Sequence, residues 1–303
     1  MAGPAIVYGT PRADLVSLSP GAVQTSPLIP GSAALEDLAD ASAAEVTVLA
    51  PAGSLERSAV LAHALRILEP GGVLTALAPK DTGGARLKKT LEAFGCVVSE
   101  DARRHHRICR CVRPEHPAGL DAAIAAGAPQ RVAALGLWSQ PGVFSWDRLD
   151  PGSALLLENL PALSGRGADL GCGIGVLARR ILQSPKVKAL ALIDSDRRAV
   201  AAARRNLDDP RAGFAWADAR QPGSLPEELD FVVMNPPFHD GGHEDRGLGL
   251  AFIAAAARIL RPGASLWMVA NRGLPYEAAL EAAFKQVERR ADLGGYKVHE
   301  ARR

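Results

Sequence analysis

The feature that most constrains the fold is a series of four strand ends in the second half of the chain, each carrying polar residues. These positions are Asp169, Asp194, Asp218 and Asn235. Short apolar runs that alternate with helical patterns are typical of parallel strands in an open α/β sheet. A single strand-end Asp is usually a helix cap or turn residue. All four in this order predict one ligand site, because such sheets bind ligands outside the carboxyl ends of their strands.

The first strand end is a glycine-rich turn, residues 169–175, followed by an apolar helical pattern. Its glycines alternate: Gly171, Gly173 and Gly175. They let the backbone approach a ligand closely, and Asp169 either caps the turn or binds a cationic or hydroxylated group. By itself the turn also fits a dinucleotide site. Further along, Asp194 is placed to chelate ribose hydroxyls, and Asp218 to accept from an adenine amino group.

The fourth strand end is the tetrapeptide 235–238, which follows the apolar run 229–234. Two prolines end the sheet pairing and stiffen the backbone. The Asn235 side-chain oxygen and the Pro236 carbonyl can each accept one N–H, and Phe238 can stack on a planar ring. These groups suit a flat ligand that carries an NH2, although the tetrapeptide alone is equally compatible with an ordinary proline turn.

Other residues near this turn are candidates for contacting the acceptor: Phe144, Pro237, His239 and Asp240. His239 and Asp240 can act as a base or orient the edge of a nucleobase, and shaping of the site is the preferred role for His239. Phe144 fits a core position as well as a substrate-facing one.

The order of these motifs resembles class I S-adenosylmethionine-dependent methyltransferases. Three segments are similar to the bacterial ribosomal RNA guanine-N2 methyltransferases of the small subunit methyltransferase C type and their large-subunit relatives: 142–145, 149–157 and 235–241. The resemblance runs from Pro141 to the C-terminus and includes Asn271 and Lys297, for which chemistry alone suggests no role. It implies S-adenosylmethionine as methyl donor, S-adenosylhomocysteine as product, no metal, and ribosomal RNA or a ribosomal subunit as partner.

The expected activity is therefore methyl transfer to the exocyclic N2 amine of a guanine in ribosomal RNA. Three alternatives stay open: a protein glutamine-amide methyltransferase, a DNA adenine-N6 methyltransferase, and a noncatalytic RNA-binding relict. Glutamine-amide methyltransferases usually have Tyr in place of Phe238 and carry an N-terminal helical domain, so Phe238 and the strand-rich first half argue against this alternative. For the second, no separate DNA-recognition domain is visible. The intact Asp169, Asp194 and Asn235 argue against the third.

The first half of the chain is predicted to be a shortened, degenerate copy of the second. Residues 67–74 resemble residues 259–266, and each segment follows an apolar helical pattern. If the repeat is real, 46–49 is the equivalent of the fourth strand, but no Asn or aromatic residue follows it. The expected fold is α/β, with two tandem Rossmann-like domains and a seven-stranded, mostly parallel sheet in the second. The domains are predicted at 1–113 and 141–303, joined by a linker over 114–140.

Composition adds little about partners. The net charge of +2 is too small to indicate nucleic acid, so RNA contacts would come from local patches. The most basic stretch is 80–113, and its adjacent pair of histidines has no third metal ligand at suitable spacing. Its arginines give the first domain a predicted RNA-binding or structural role. The four cysteines do not have zinc spacing, and we expect them to be reduced thiols. The sequence shows no signal peptide and no membrane-length apolar run, which favours a cytoplasmic enzyme. No obligate protein partner is expected.

Overall fold

The chain forms two compact units, Met1–Pro129 and Gln130–Arg303. The computed structural model describes residues 3–221, 223, 225–237, 239–240, 243–244 and 246–303. Within these residues, no helix combines the length and apolarity needed to span a bilayer.

The first unit is built on a six-stranded sheet. Its strands are β1 (Ala5–Tyr8), β2 (Val23–Gln24), β3 (Ala43–Leu49), β4 (Leu68–Pro79), β5 (Ser99–Arg103) and β6 (His106–Val112). Its helices are α1 (Ser54–Ile67), α2 (Ala85–Ala93) and α3 (Leu120–Gly127), with short turns of helix at Leu35–Asp37 and Lys80–Gly84. The strand order is β2-β1-β3-β4-β6-β5. The first four strands pair in parallel, and β6 is antiparallel to both of its neighbours.

Helix α3 lies within the segment 114–140 that the sequence predicts as a linker. It packs on α1 within the first unit, and the approach is close at Gly127, where a Cβ would lie 2.3 Å from the Cβ of Ala59. Only a residue without a side chain permits this contact between the helices.

The second unit is built on a seven-stranded sheet. Its strands are β9 (Gly165–Leu170), β10 (Val187–Asp194), β11 (Ala212–Trp216), β12 (Leu229–Met234), β15 (Leu260–Asn271), β16 (Gln286–Leu293) and β17 (Tyr296–Arg302). Two separate hairpins pair β7 (Gln130–Val132) with β8 (Leu137–Ser139), and β13 (His239–Asp240) with β14 (His243–Glu244). The helices are α4 (Pro151–Asn159), α5 (Val176–Ile181), α6 (Arg197–Asn206), α7 (Arg246–Ile259) and α8 (Glu277–Ala283).

Helices cover both faces of this sheet. Alternate residues of β12 enter different cores because successive side chains of a strand point to opposite faces. Val232 and Met234 lie in the core that includes residues of α7 and α8. Phe231 and Val233 lie in the core that includes residues of α4 and α5.

The strand order β11-β10-β9-β12-β15-β17-β16 creates a switch point beside β9. The chain runs outward from β9 through β10 to β11, and then returns to form β12 on the other side of β9. The turns that leave β9 and β12 therefore diverge, which is where open α/β sheets bind ligands. The pairs Val233↔Asp169 and Met234↔Leu170 bring both turns to the same edge of the sheet.

Four strands of the first sheet repeat four strands of the second. β3-β4-β6-β5 and β12-β15-β17-β16 share their order and relative directions. Both parallel pairs shift register after their first partners, at Ala43↔Leu68 and at Leu229↔Leu260. The internal repeat is confirmed, and β3 takes the position predicted for the fourth strand. On the side of β3 away from β4, the described residues form two strands, β1 and β2, where the second unit has three, so the first copy is shortened.

Candidate active site

The glycine-rich turn after β9 has the backbone conformation that its sequence predicts. All three glycines adopt positive φ: Gly171 (+72°), Gly173 (+52°) and Gly175 (+86°). A Cβ on Gly171 would lie 3.8 Å from the backbone oxygen of Asn235. The glycine-rich turn and the Asn235 corner therefore lie side by side. Around Gly173 no heavy atom of the described residues lies within 4 Å of such a Cβ, which leaves that side of the turn open to a ligand.

Asp169 carries a buried carboxyl group beneath this turn. The residue is fully buried, and neither carboxyl oxygen has a hydrogen-bond partner among the described residues. Burial raises the pKa of Asp169 to about 8, and the neighbouring Asp194 adds to the shift, while the Ala178 backbone N–H in the first turn of α5, near the carboxyl group but outside hydrogen-bond geometry, opposes it. A desolvated carboxyl group is normally found with a partner, so Asp169 is suited to a cationic or hydrogen-donating ligand.

Asp194 ends β10 and holds the turn from the adjacent strand. Its Oδ2 accepts from the Gly173 backbone N–H at 2.8 Å, and its Oδ1 accepts from the Asp196 backbone N–H at 2.8 Å. Burial raises the pKa of Asp194 to about 6. Each carboxylate oxygen has more than one acceptor position, so Asp194 retains capacity for the ribose hydroxyls expected from the sequence.

Asp218 lies two residues beyond β11 and is engaged by Arg220. The Arg220 guanidinium donates to both carboxylate oxygens, at 2.8 to 3.1 Å, and its backbone N–H donates at 2.9 Å. The hydrogen bond to Arg220 holds the pKa of Asp218 below its usual range. An adenine amino group would therefore share this carboxylate with Arg220.

The corner after β12 presents Asn235 in one orientation. Its side-chain nitrogen donates to Asp150 Oδ2 and to Ser153 Oγ, both at 2.9 Å. Because an ionised carboxylate only accepts hydrogen bonds, the amide nitrogen must face Asp150, and the amide oxygen is turned away from it. Pro236 is buried and Pro237 is exposed, so the corner is anchored on one side only.

Asp150 and Ser153 hold Asn235 from the start of α4. Asp150 is the N-cap of this helix, and its Oδ2 also accepts the Ser153 backbone N–H at 2.7 Å. Gly152 lies against Tyr296, where a Cβ would come within 2.8 Å of the ring. The cap is readable in the sequence as Asp followed by Pro. Its contact with a residue 85 positions away is not, because the fold alone brings the two segments together.

The segment before α4 borders the glycine-rich turn. Val143 is buried in one cluster with Ile174 and with residues of α6. Phe144 itself is 60% exposed, so a core position is not its role, and contact with substrate stays a prediction. Phe238 lies outside the described residues, as do the side chains of His239 and Asp240.

Lys297 and Asn271, which match the family pattern, lie near the end of β15. Asn271 is the last residue of β15 and pairs with Tyr296. Lys297 is buried and forms an ion pair with Glu277 at the start of α8. This ion pair ties β17 to α8, a structural role that the sequence does not suggest. No group of three or more His, Cys, Asp or Glu side chains in the described part of the chain could hold a metal ion.

Comparison with known proteins agrees with this architecture. Residues 134–300 match the model of the methyltransferase small domain family. The chain is 33% identical to ribosomal RNA small subunit methyltransferase C of Pseudomonas aeruginosa (strain LESB58), over 100% of this chain and 95% of that protein. It is 30% identical to the protein of the same name from Pseudomonas putida, over 99% and 95%.

A solved structure extends the likeness to the whole fold. The T. thermophilus 16S rRNA N2 G1207 methyltransferase (RsmC), in complex with AdoMet and guanosine, is similar with a TM-score of 0.79 at 24% identity. The similarity covers 99% of this chain and 88% of that one. Both units are therefore part of the similarity, including the half in which the sequence motifs are weak.

The strand order and the site at its switch point define an S-adenosylmethionine-dependent methyltransferase of the small-domain class. Asp169, whose buried carboxyl oxygens have no hydrogen-bond partner among the described residues, and the open side of the glycine-rich turn fit this methyl donor. Identity of 33% over the full chain narrows the class: the chain belongs to the ribosomal RNA small subunit methyltransferase C family.

Proposed function

We infer that this enzyme transfers a methyl group from S-adenosylmethionine to the exocyclic N2 amine of a guanine in ribosomal RNA. The observation that carries the inference is the fixed orientation of Asn235 beside the glycine-rich turn. Its amide nitrogen is held by Asp150 and Ser153, and its backbone oxygen borders Gly171. An acceptor for the target NH2 thus lies next to the residues that suit the methyl donor.

The residues of the donor site would hold S-adenosylmethionine by complementary charge and by close backbone approach. Asp169 would face a cationic part of the donor, and Asp194 would accept from its ribose hydroxyls. When bound, the donor supplies a methyl group on a sulfonium, which needs no metal to activate it.

The Asn235 corner would position and polarise the acceptor nitrogen. A guanine amine is a weak nucleophile because its lone pair is delocalised into the ring. Hydrogen bonds to the Asn235 side-chain oxygen and the Pro236 carbonyl stabilise positive charge as it develops on nitrogen. Asp150 and Ser153 act as positioning residues, since they decide which end of the amide faces the substrate. Alignment of donor and acceptor accounts for much of the rate in such reactions.

The target base must leave its helix to reach a corner of this kind. A base inside a duplex is stacked and paired, so the enzyme would act on an unpaired or flipped-out guanine. We propose that Phe238 stacks on this base and that Phe144, Pro237, His239 and Asp240 border it.

The first unit is proposed to be noncatalytic. The residues after β3 are Ala50–Gly53, which offer no amide side chain and no aromatic ring at the position of the Asn235 corner. Much of the basic stretch in this unit is ion-paired, as in Arg103 with Asp101, Arg104 with Asp14 and Arg107 with Glu100. These pairs leave Lys80, Arg86, Lys89 and Arg110 as the residues through which it would contact RNA.

Replacement of Asn235 tests the proposed reaction. Ribosomal RNA from a strain that lacks the gene is incubated with radiolabelled S-adenosylmethionine, and digested nucleosides are separated. Wild type is expected to yield N2-methylguanosine, and Asn235→Ala to lose about 10²–10³-fold in kcat while its Kd for S-adenosylmethionine, measured by calorimetry, changes little. Asn159→Ala, which removes an amide from the end of the same helix α4, serves as control. Methylated adenosine or a methylated protein as the product, or full activity in Asn235→Ala, would overturn the proposal.

A further inference from the structure

Helix α6 carries three arginines that stack on aromatic rings of the edge strand β11 and of β8. We name this surface the α6 face. Arg204 lies over the Phe214 ring with 5.1 Å to its centre, and Arg205 lies over Trp138 at the same distance. At the other end of the helix, Arg197 lies 5.7 Å from the centre of the Trp216 ring. Three such contacts along one ten-residue helix exceed the usual frequency of roughly one per 70–80 residues.

The arginines of the α6 face differ from their neighbours in how they are used. Arg198 and Arg211 form ion pairs with Asp196 and Asp209, so their charge is neutralised within the fold. Arg204 and Arg205 are exposed, and neither is ion-paired with any carboxylate of the described residues. Stacking on a neutral ring orients a guanidinium without neutralising it. Both side chains therefore present an oriented positive charge and free N–H groups to solvent.

A groove accompanies this charge. It has a volume of about 410 Å³ and is lined by Arg197, Val200, Ala201, Arg204, Arg205 and Trp216. Helix α6 contains no acidic residue, so the groove is basic along its length. The end of the groove formed by Arg197 and Trp216 lies at the carboxyl edge of the sheet, where the active site is. This follows because Trp216 is the last residue of β11 and Arg197 is the first of α6.

We propose that the α6 face binds a single-stranded segment of the RNA substrate next to the target base. A guanidinium can pair with phosphate through two parallel N–H groups, and arginines and aromatic rings together form stacking surfaces for unpaired bases. The proposal rests on the proposed function, because it takes RNA as the substrate. It assigns RNA contacts to the catalytic unit, in addition to those proposed for the basic stretch of the first unit.

The test replaces both exposed arginines, as Arg204→Gln/Arg205→Gln. Binding of a fluorescein-labelled single-stranded RNA is measured by anisotropy over a series of salt concentrations. The double variant is expected to bind about 10-fold or more weakly at low salt, with the slope of log K against log[salt] smaller by about 1.4. In methylation assays, KM for ribosomal RNA should rise while kcat and the Kd for S-adenosylmethionine stay unchanged.

Two further variants make the result specific. Arg289→Gln/Arg302→Gln removes the same charge from strands β16 and β17, which lie at the edge of the sheet opposite β11. Both of these arginines are ion-paired. If RNA binding weakened equally in this control, the loss of affinity would be explained by net charge alone, and the proposal would be overturned. Arg204→Lys/Arg205→Lys keeps the charge but not the planar group, and should retain the salt slope while losing several-fold in affinity.

Remaining outcomes separate this proposal from the proposed function. Unchanged RNA binding in Arg204→Gln/Arg205→Gln, with wild type still producing N2-methylguanosine, would overturn the α6 face alone. Loss of binding to phosphatidylglycerol vesicles without loss of RNA binding would also overturn it, in favour of a membrane surface. Absence of RNA methylation in wild type would instead remove the proposed function.

Discussion

Asp169 should release a proton when S-adenosylmethionine binds. In the free protein its pKa is raised to about 8, chiefly by burial, so roughly 0.9 of the molecules hold this proton at pH 7. A cationic ligand beside the carboxyl group stabilises the ionised form and lowers its pKa. Binding near neutral pH therefore releases close to one proton per site from Asp169.

The size and sign of the pH effect follow from this linkage. If the bound pKa falls well below 6, the affinity for the donor increases on average by about sixfold per pH unit between pH 6.5 and 8, and levels off above 8. Asp194, with a pKa raised to about 6, contributes only at the lower end of this range. The α-amino group of the ligand titrates near pH 8, so the comparison of wild type with Asp169→Asn isolates the protein group.

Isothermal titration calorimetry in buffers of different ionisation enthalpy counts the released protons. Wild type is expected to release about 0.9 more protons at pH 7 than Asp169→Asn, and the variant should bind more weakly and with a flatter pH profile. Equal proton release in both proteins, or an affinity that falls as pH rises from 6.5 to 8, would refute the reasoning.

The Asp169 carboxyl group also affects the stability of the ligand-free protein, which should fall as pH rises, whereas the affinity for the donor should increase. A folded-state pKa of about 8 lies above the ordinary value of 3.8, so the folded state binds the proton more tightly than the unfolded state. Stability from this group is complete below pH 4 and is lost as pH rises to 8, by at most roughly 4 kcal/mol at pH 7. Asp169→Asn should therefore raise the melting temperature at pH 7 to 8 and change it little at pH 4.

Substitutions at two further positions test the orientation of Asn235 and the packing around the site. Asp150→Ser keeps an N-cap for α4, but the serine side chain is too short to hold Asn235 as well. In steady-state assays kcat should fall by about 10- to 100-fold, as expected for loss of one charge-assisted hydrogen bond. Asp150→Asn retains one acceptor oxygen and should recover most of the lost kcat. Equal loss in both would assign the effect to charge rather than orientation. Gly167→Ala would place a Cβ 2.1 Å from the Phe231 ring, and urea denaturation should show a loss of about 1–3 kcal/mol. Wild-type stability would mean that β9 and β12 pack less tightly than the structure shows.

Much of the fold and of the site could be predicted because the relevant signals are local. A strand that ends in Asp194 or Asn235, a glycine turn at 171–175 and a Pro-Gly joint after a helix are each specified within about ten residues. Their order along the chain predicts the parallel sheet, and its resemblance to class I S-adenosylmethionine-dependent methyltransferases implies the methyl donor. The full-length similarity to the Pseudomonas aeruginosa protein also confirms the family suggested by these motifs. The predicted domain boundaries and the roles of individual site residues stay predictions.

By itself the sequence determined the strand ends and the internal repeat, since backbone conformation and hydrophobic period are properties of neighbouring residues, and the resemblance of its motifs to a known family indicated the class of ligand. Tertiary structure alone decided that Asp150 orients Asn235, that Asp169 is buried with no hydrogen-bond partner in the described part of the chain, and that Arg204 and Arg205 stack on rings. These features depend on burial and on contacts between residues far apart in the chain. Neither quantity exists until the sheet and its helices have packed together.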